Sequence, residues 1–143
     1  MRILFCEDDK DTADAIVLTL RGTGHTVDYA MSADQAVSIY DMAPNAYDLI
    51  ITDVEMPLHS GMYFASHARA SGYQGRLAVL TGTPKERVIE GLQKLNAEFW
   101  AKTEIWSGLL QMVNGEGAPP AESVSSHANI FSGDVKKRRS SDV

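Results

Sequence analysis

Asp48-Leu49-Ile50-Ile51-Thr52-Asp53-Val54-Glu55-Met56-Pro57 is the stretch on which the reading of this chain turns. A short run that is apolar at successive positions suits a strand covered on both faces. Met56-Pro57 cannot continue a central strand, so the strand predicted over Asp48 to Asp53 stops at a carboxylate.

Working outward, four more apolar runs recur, each followed by a segment with helical spacing, as in a parallel sheet crossed by helices. Upstream, Ile3-Leu4-Phe5-Cys6 is a second buried strand, and Ala13, Ile16, Val17 and Leu20 line the helix after it, which Gly22 and Gly24 stop. Thr26 to Ala30 alternates apolar and polar residues, as an edge strand does. Ser32 and Gln35 make a capping-box pattern before a helix with Ala33, Ala36, Val37 and Tyr40 on its inner face. Downstream come a helix lined by Phe64, Ala65 and Ala68, and a strand over Leu77 to Thr81. Thr83-Pro84-Lys85-Glu86 combines an N-cap, a proline at the first helical position and a capping glutamate, and Val88, Leu92 and Leu95 face inward behind it. A strand over Ala97 to Ala101 and a helix from about Thr103 to Asn114 complete the pattern.

Composition agrees with one folded domain. Of 143 residues, 44% are hydrophobic and 22% charged, near the globular average. A net charge of -6 argues against an electrostatic grip on nucleic acid or an anionic membrane over the whole domain. One cysteine makes neither an internal disulfide nor a thiolate zinc cluster, and inside an apolar strand Cys6 reads as core filler. The opening residues turn acidic too soon for a secretory signal and no run is long enough to span a membrane, so a cytoplasmic location is expected. From Gly115 the pattern lapses into Gly-Glu-Gly-Ala-Pro-Pro, serines and the basic run Lys136 to Arg139. Residues 1–114 are therefore expected to be the domain and 115–143 a flexible polar tail, with Ile130-Phe131 its apolar pair.

In an open parallel sheet, ligands bind beyond the carboxyl ends of the strands, where strand order reverses. The unusual polar residues fall at such ends: Glu7-Asp8-Asp9, Asp53, Thr81 and, after the fifth strand, Lys102. Each alone has an ordinary reading, as a solvated strand end, a turn or a surface lysine; it is the joint placement that points to a site. Crowded carboxylates repel unless a cation joins them, and an all-oxygen site with open positions suits hydrated Mg²⁺. A hydroxyl and an ammonium opposite would receive a phosphoryl group, with Asp53 as the natural nucleophile.

Glu7-Asp8, the block Asp53-x-x-Met56-Pro57-x-x-x-Gly61, Thr81-Gly82, Phe99 and Lys102 together resemble the receiver domain of two-component response regulators, over roughly residues 1–114. The resemblance implies an α/β, flavodoxin-like (βα)5 fold, a doubly wound parallel sheet with strand order 2-1-3-4-5. It implies Mg²⁺ held by Asp8, Asp53 and the Glu55 main-chain carbonyl, with Glu7 acting through water. It further implies phosphoryl transfer to Asp53 from a sensor histidine kinase or phosphotransfer protein. Thr81 and Lys102 would bind the phosphoryl oxygens, Thr81 and Phe99 would carry the switch, and Glu55 and Thr83 would tune dephosphorylation. Thr103 stands where the family usually has a proline after the lysine. A cis bond there is common with proline but costs roughly 2.5–4 kcal/mol without one.

The leading expectation is a stand-alone receiver that signals to a downstream protein target rather than an enzyme with small-molecule turnover, since 29 residues (143 minus 114) cannot form a DNA-binding output domain. A phosphate sink and a receiver belonging to a larger regulator are the alternatives. A haloacid-dehalogenase-like phosphatase is the rival of another class, but it needs an aspartate two residues after its nucleophile, where this chain has Glu55. The last helix adds an expectation about partners. Ile105, Trp106, Leu109, Leu110, Met112 and Val113 cover an arc of about 160°, wider than the ~100° a core stripe needs. The surplus edge carries Trp106 and Leu110, and in receivers the face of helix four, strand five and helix five is the usual output and homodimer surface.

Overall fold

The computed structural model describes residues 1–82 and 86–115, with the side chains of Glu86, Arg87 and Trp106 also outside the description. The expectations resting on Thr83, on the cap at 83–86, on the Trp106 side chain and on the tail from residue 116 onward therefore lie outside the described residues. Five strands and five α-helices alternate: β1 Arg2–Cys6, α1 Lys10–Gly22, β2 Thr26–Ala30, α2 Ala33–Met42, β3 Leu49–Asp53, α3 Gly61–Ala70, β4 Arg76–Thr81, α4 Glu86–Lys94, β5 Glu98–Ala101 and α5 Ile105–Val113. The sheet order is β2-β1-β3-β4-β5, the doubly wound flavodoxin-like arrangement of parallel strands. By contact density the chain divides after Leu80 into two compact units.

In the first unit the register is unbroken. Ile3, Leu4, Phe5 and Cys6 pair with Leu49 to Thr52 on one side and with Val27 to Ala30 on the other. These β1 residues and Leu49, Ile50 and Ile51 are wholly buried, which is why neither strand shows an alternating pattern. The edge position of β2 explains why its polar residues survive. All three helix starts use side-chain caps: Asp9 accepts from the Thr12 amide at 3.0 Å, Ser32 from the Gln35 amide at 3.0 Å, and Ser60 from the Met62 amide at 3.2 Å. Gln35 reaches back to accept from the Met31 amide at 2.6 Å, completing the expected box one residue further out. Ala13, Ile16 and Leu20 of α1 and Ala33, Ala36 and Tyr40 of α2 are buried, while Val17 and Val37, expected on the inner faces, are only half-buried at the stripe margins. Phe64, Ala65 and Ala68 of α3 are buried as their spacing requires.

In the second unit Leu92, Ala97, Phe99, Trp100, Ile105, Leu109, Met112 and Val113 are the buried apolar residues among those described. The last helix begins later than its sequence suggests. Lys102–Glu104 forms a 3₁₀ turn and the α-helix starts at Ile105, whose amide donates to the Lys102 carbonyl. Neither start has a side-chain cap, so the opening turn tightens instead to satisfy its own amides. The Lys102–Thr103 peptide is trans, like every peptide among the described residues.

Candidate functional site

The acids at the ends of β1 and β3 meet. Carboxylate oxygens of Glu7, Asp8 and Asp53 lie within 4.8 Å of one another, the only such group of metal-ligating side chains among the described residues. The three are not equivalent. Asp53 is completely buried and Glu7 is 2% exposed, while Asp8 faces solvent. Two buried carboxylates about 5 Å apart repel by on the order of 3 kcal/mol at an effective dielectric near 20. An all-oxygen donor set of this kind, with one ligand open to water, fits a hydrated divalent cation such as Mg²⁺.

Backbone bonds fix each acid in turn. Glu7 continues the β1 ladder, its amide donating to the Ala30 carbonyl at 3.0 Å, and the Tyr29 hydroxyl donates to the Glu7 carbonyl at 2.7 Å. The Glu7 carboxylate accepts from the Asp9 amide at 3.2 Å, tying the acidic turn to the first residues of α1. Asp53 pairs with Leu80 in the β3–β4 register, and the Val54 amide donates to the Leu80 carbonyl at 2.9 Å. The Asp53 carboxylate accepts from the Glu55 amide at 3.2 Å, while the Glu55 residue itself is exposed. Asp53 is thus presented by the last rung of a buried strand, and the chain turns away immediately beyond it.

Gly61 makes that turn close-packed. Its amide donates to the Val54 carbonyl at 3.1 Å, and a Cβ there would lie 1.8 Å from the Asp53 carbonyl oxygen and 2.8 Å from the Thr52 hydroxyl. Leu58, on the same loop, is 95% exposed at a φ of 66°. Cys6, one residue before Glu7, is buried, and its thiol donates to the Ser32 carbonyl at 3.3 Å and to the Met56 sulfur at 3.6 Å. Burial above all pushes the thiol up to about 12, opposed next by the hydrogen bond with Thr52 and reinforced by the charges of Asp53, Glu7 and Asp8. A thiol so protonated is inert, in line with the core role read from the sequence.

The remaining residues singled out by sequence belong to the second unit. Thr81, the last residue of β4 and the one following Leu80, is fully buried. Phe99 in β5 is 3% exposed. Lys102 opens the 3₁₀ turn after β5 and is half-buried. Leu110 on α5 is 42% exposed. The described histidines stay out of the acidic cluster: His59 meets Asp34 at 3.0 Å, His67 meets Asp41 at 2.8 Å, and His25 sits 3.1 Å from the chain's amino group. Sequence reasoning missed two residues that hold the acids in place. The glycine of the Asp53 block marked the motif without revealing its contact, and Tyr29 looked like one more edge-strand aromatic.

Residues 3–114 match the response regulator receiver domain family. Among curated relatives, the transcriptional regulatory protein PmrA of Pectobacterium parmentieri is 32% identical over 71% of this chain and 46% of its own length. The probable transcriptional regulatory protein SilR of Salmonella typhimurium is 32% identical over 79% of this chain and 49% of its own. The chain thus spans about half the length of these relatives. Among solved structures, a response regulator receiver protein from Pseudomonas putida is 25% identical with a TM-score of 0.71, covering 80% of this chain and 96% of that one. The chemotaxis protein CheY4 of Vibrio cholerae shares the fold, with a TM-score of 0.72 at 23% identity over 80% of this chain and 96% of that one.

Proposed function

Because the chain belongs to the response regulator receiver domain family, we propose that it is a phosphorylation switch in which Asp53 accepts a phosphoryl group from a sensor histidine kinase or phosphotransfer protein. The observation that carries this reading is the meeting of Glu7, Asp8 and Asp53 at the ends of two adjacent strands, with two of the three buried. Asp8, Asp53 and the Glu55 main-chain carbonyl would hold Mg²⁺, with Glu7 acting through water, and the ion would supply charge neutralisation for the incoming group.

In the transfer, an Asp53 carboxylate oxygen attacks the phosphorus of a phosphohistidine. The P–N bond breaks as the P–O bond forms, and the departing imidazole takes up a proton. Two features of the chain support Asp53 in this role. Its carboxylate is oriented by the Glu55 amide. Its place on a buried strand removes the freedom that would blunt attack. As the family resemblance implies, Thr81 and Lys102 are the residues proposed to bind the phosphoryl oxygens. By resemblance, Glu55 and Thr83, two positions past Asp53 and two past Thr81 in the sequence, set how long the acyl phosphate lasts.

The output reading places the switch in Thr81 and Phe99 and the partner surface on α4, β5 and α5. Leu110 leaves apolar area open on α5, which suits a downstream protein target or a second copy better than nucleic acid. The test uses beryllofluoride, a stand-in for the phosphoryl group, added with Mg²⁺ to the full chain while tryptophan emission and light-scattering mass are followed. The reading expects an emission change that needs beryllofluoride and Mg²⁺ together and that disappears in Asp53→Asn. An equal response in Asp53→Asn overturns it.

A further inference from the structure

Glu7 and Asp8 share a peptide bond, and the orientation of that peptide decides where both carboxylates can point. Its carbonyl belongs to Glu7 and its N–H to Asp8. Turning the plane swings the Glu7 carbonyl and, through the φ of Asp8, the direction of the Asp8 side chain. The Glu7 amide on the preceding peptide is fixed by the Ala30 carbonyl at 3.0 Å. The Glu7 carbonyl receives the Tyr29 hydroxyl at 2.7 Å.

Resting on the reading of Glu7 and Asp8 as metal-binding acids, we propose that Tyr29 is a positioning residue of the metal site, whose hydroxyl fixes the peptide between them. The ring that carries this hydroxyl is itself anchored. Tyr29 pairs in register with Phe5, and the two rings lie 6.1 Å apart at an interplanar angle of 32°. Phe5 is wholly buried, so the hydroxyl is delivered from a fixed platform. The bond runs from the edge strand across to the first residue beyond β1, beside a cluster where Asp53 is already rigid. Asp8 is the solvent-facing member of that cluster, and hence the one whose direction depends most on its backbone. Groups behind a ligand commonly change metal affinity by about 10–100-fold when removed. An effect transmitted through one peptide belongs at the lower end.

Tyr29→Phe deletes the hydroxyl and keeps the ring against Phe5. Mg²⁺ affinity of the full chain is measured by titration of ¹⁵N-labelled protein for wild type, Tyr29→Phe and Asp8→Asn, with thermal melts and backbone HN–Hα couplings of the same proteins in chelator. The proposal expects Tyr29→Phe to bind Mg²⁺ about tenfold more weakly, with a melting temperature only slightly lowered. It also expects the Asp8 HN–Hα coupling, which reports its φ, to change without metal, a change that a general loss of stability would spread over all of β1 and β2. If wild type binds Mg²⁺, Asp8→Asn loses it and Tyr29→Phe matches wild type, the positioning role is overturned while the metal reading stands. If wild type shows no response to Mg²⁺, the metal reading falls and takes this inference with it. An unchanged Asp8 coupling in Tyr29→Phe overturns the positioning role even when affinity drops.

Discussion

The Asp53 carbonyl oxygen occupies space that a side chain on Gly61 would need: a Cβ there would stand 1.8 Å away. The nearest obstacles are main-chain atoms of the strand that presents the acceptor, so no flexible side chain can yield. Gly61→Ala must then displace either the start of α3 or the end of β3. Overpacking of this kind costs about 1–3 kcal/mol. A lowered melting temperature is expected, together with slower labelling of Asp53 by a small phosphodonor under conditions where the variant remains folded. A variant with wild-type melting and labelling would show that the loop absorbs the methyl group.

Cys6 should resist alkylation. Its thiol is buried beside three carboxylates and pushed up to about 12, so iodoacetamide at pH 8 should leave the folded protein unmodified and label it fully in denaturant. Rapid labelling of the native chain would mean that β1 opens far more readily than its burial implies.

At the opposite end of the strands, Tyr47 donates to Asp28 at 2.6 Å, and Arg2 reaches the same carboxylate at 3.1 Å. Burial, followed by the hydrogen bond to Asp28, pushes the Tyr47 phenol up to about 12 from its ordinary 10. The folded chain therefore keeps this proton over a range where the unfolded chain has lost it. The resulting stability is complete below pH 10 and is lost as pH rises through about 12. Tyr47→Phe should flatten that part of the stability curve in denaturant melts between these limits. An identical alkaline decline in the variant would assign it elsewhere.

Much of the fold was legible because its elements are local in origin. Strand ends fell within a residue of expectation at β1 and β4 since uniformly apolar runs stop where carboxylates and turns begin. The Ser32–Gln35 cap was readable for the same reason, its partners being three residues apart. The start of α5 was not, because nothing in Lys102-Thr103-Glu104 signals that an uncapped opening will tighten into a 3₁₀ turn. The acidic cluster was legible as residue types at strand ends, but not the division of labour between buried Glu7 and open Asp8. Nor was the hold of Tyr29 on Glu7, which joins residues 22 positions apart and depends on strand register.

Leu110 offers a test of the output face. At 42% exposure it is no core residue, and an exposed substitution of this kind usually changes stability by no more than about 0.5 kcal/mol. Leu110→Glu should melt like wild type, label normally at Asp53, and lose any self-association that beryllofluoride with Mg²⁺ induces in light scattering. A variant that unfolds, or that associates as wild type does, would remove this residue from the interface.

Whether Asp53 is the phosphoacceptor is read from the intact mass after incubation with a small phosphodonor and Mg²⁺. The wild-type chain is expected to gain one phosphoryl group that mild base removes, and Asp53→Asn to gain none. Equal labelling of Asp53→Asn and wild type would contradict it.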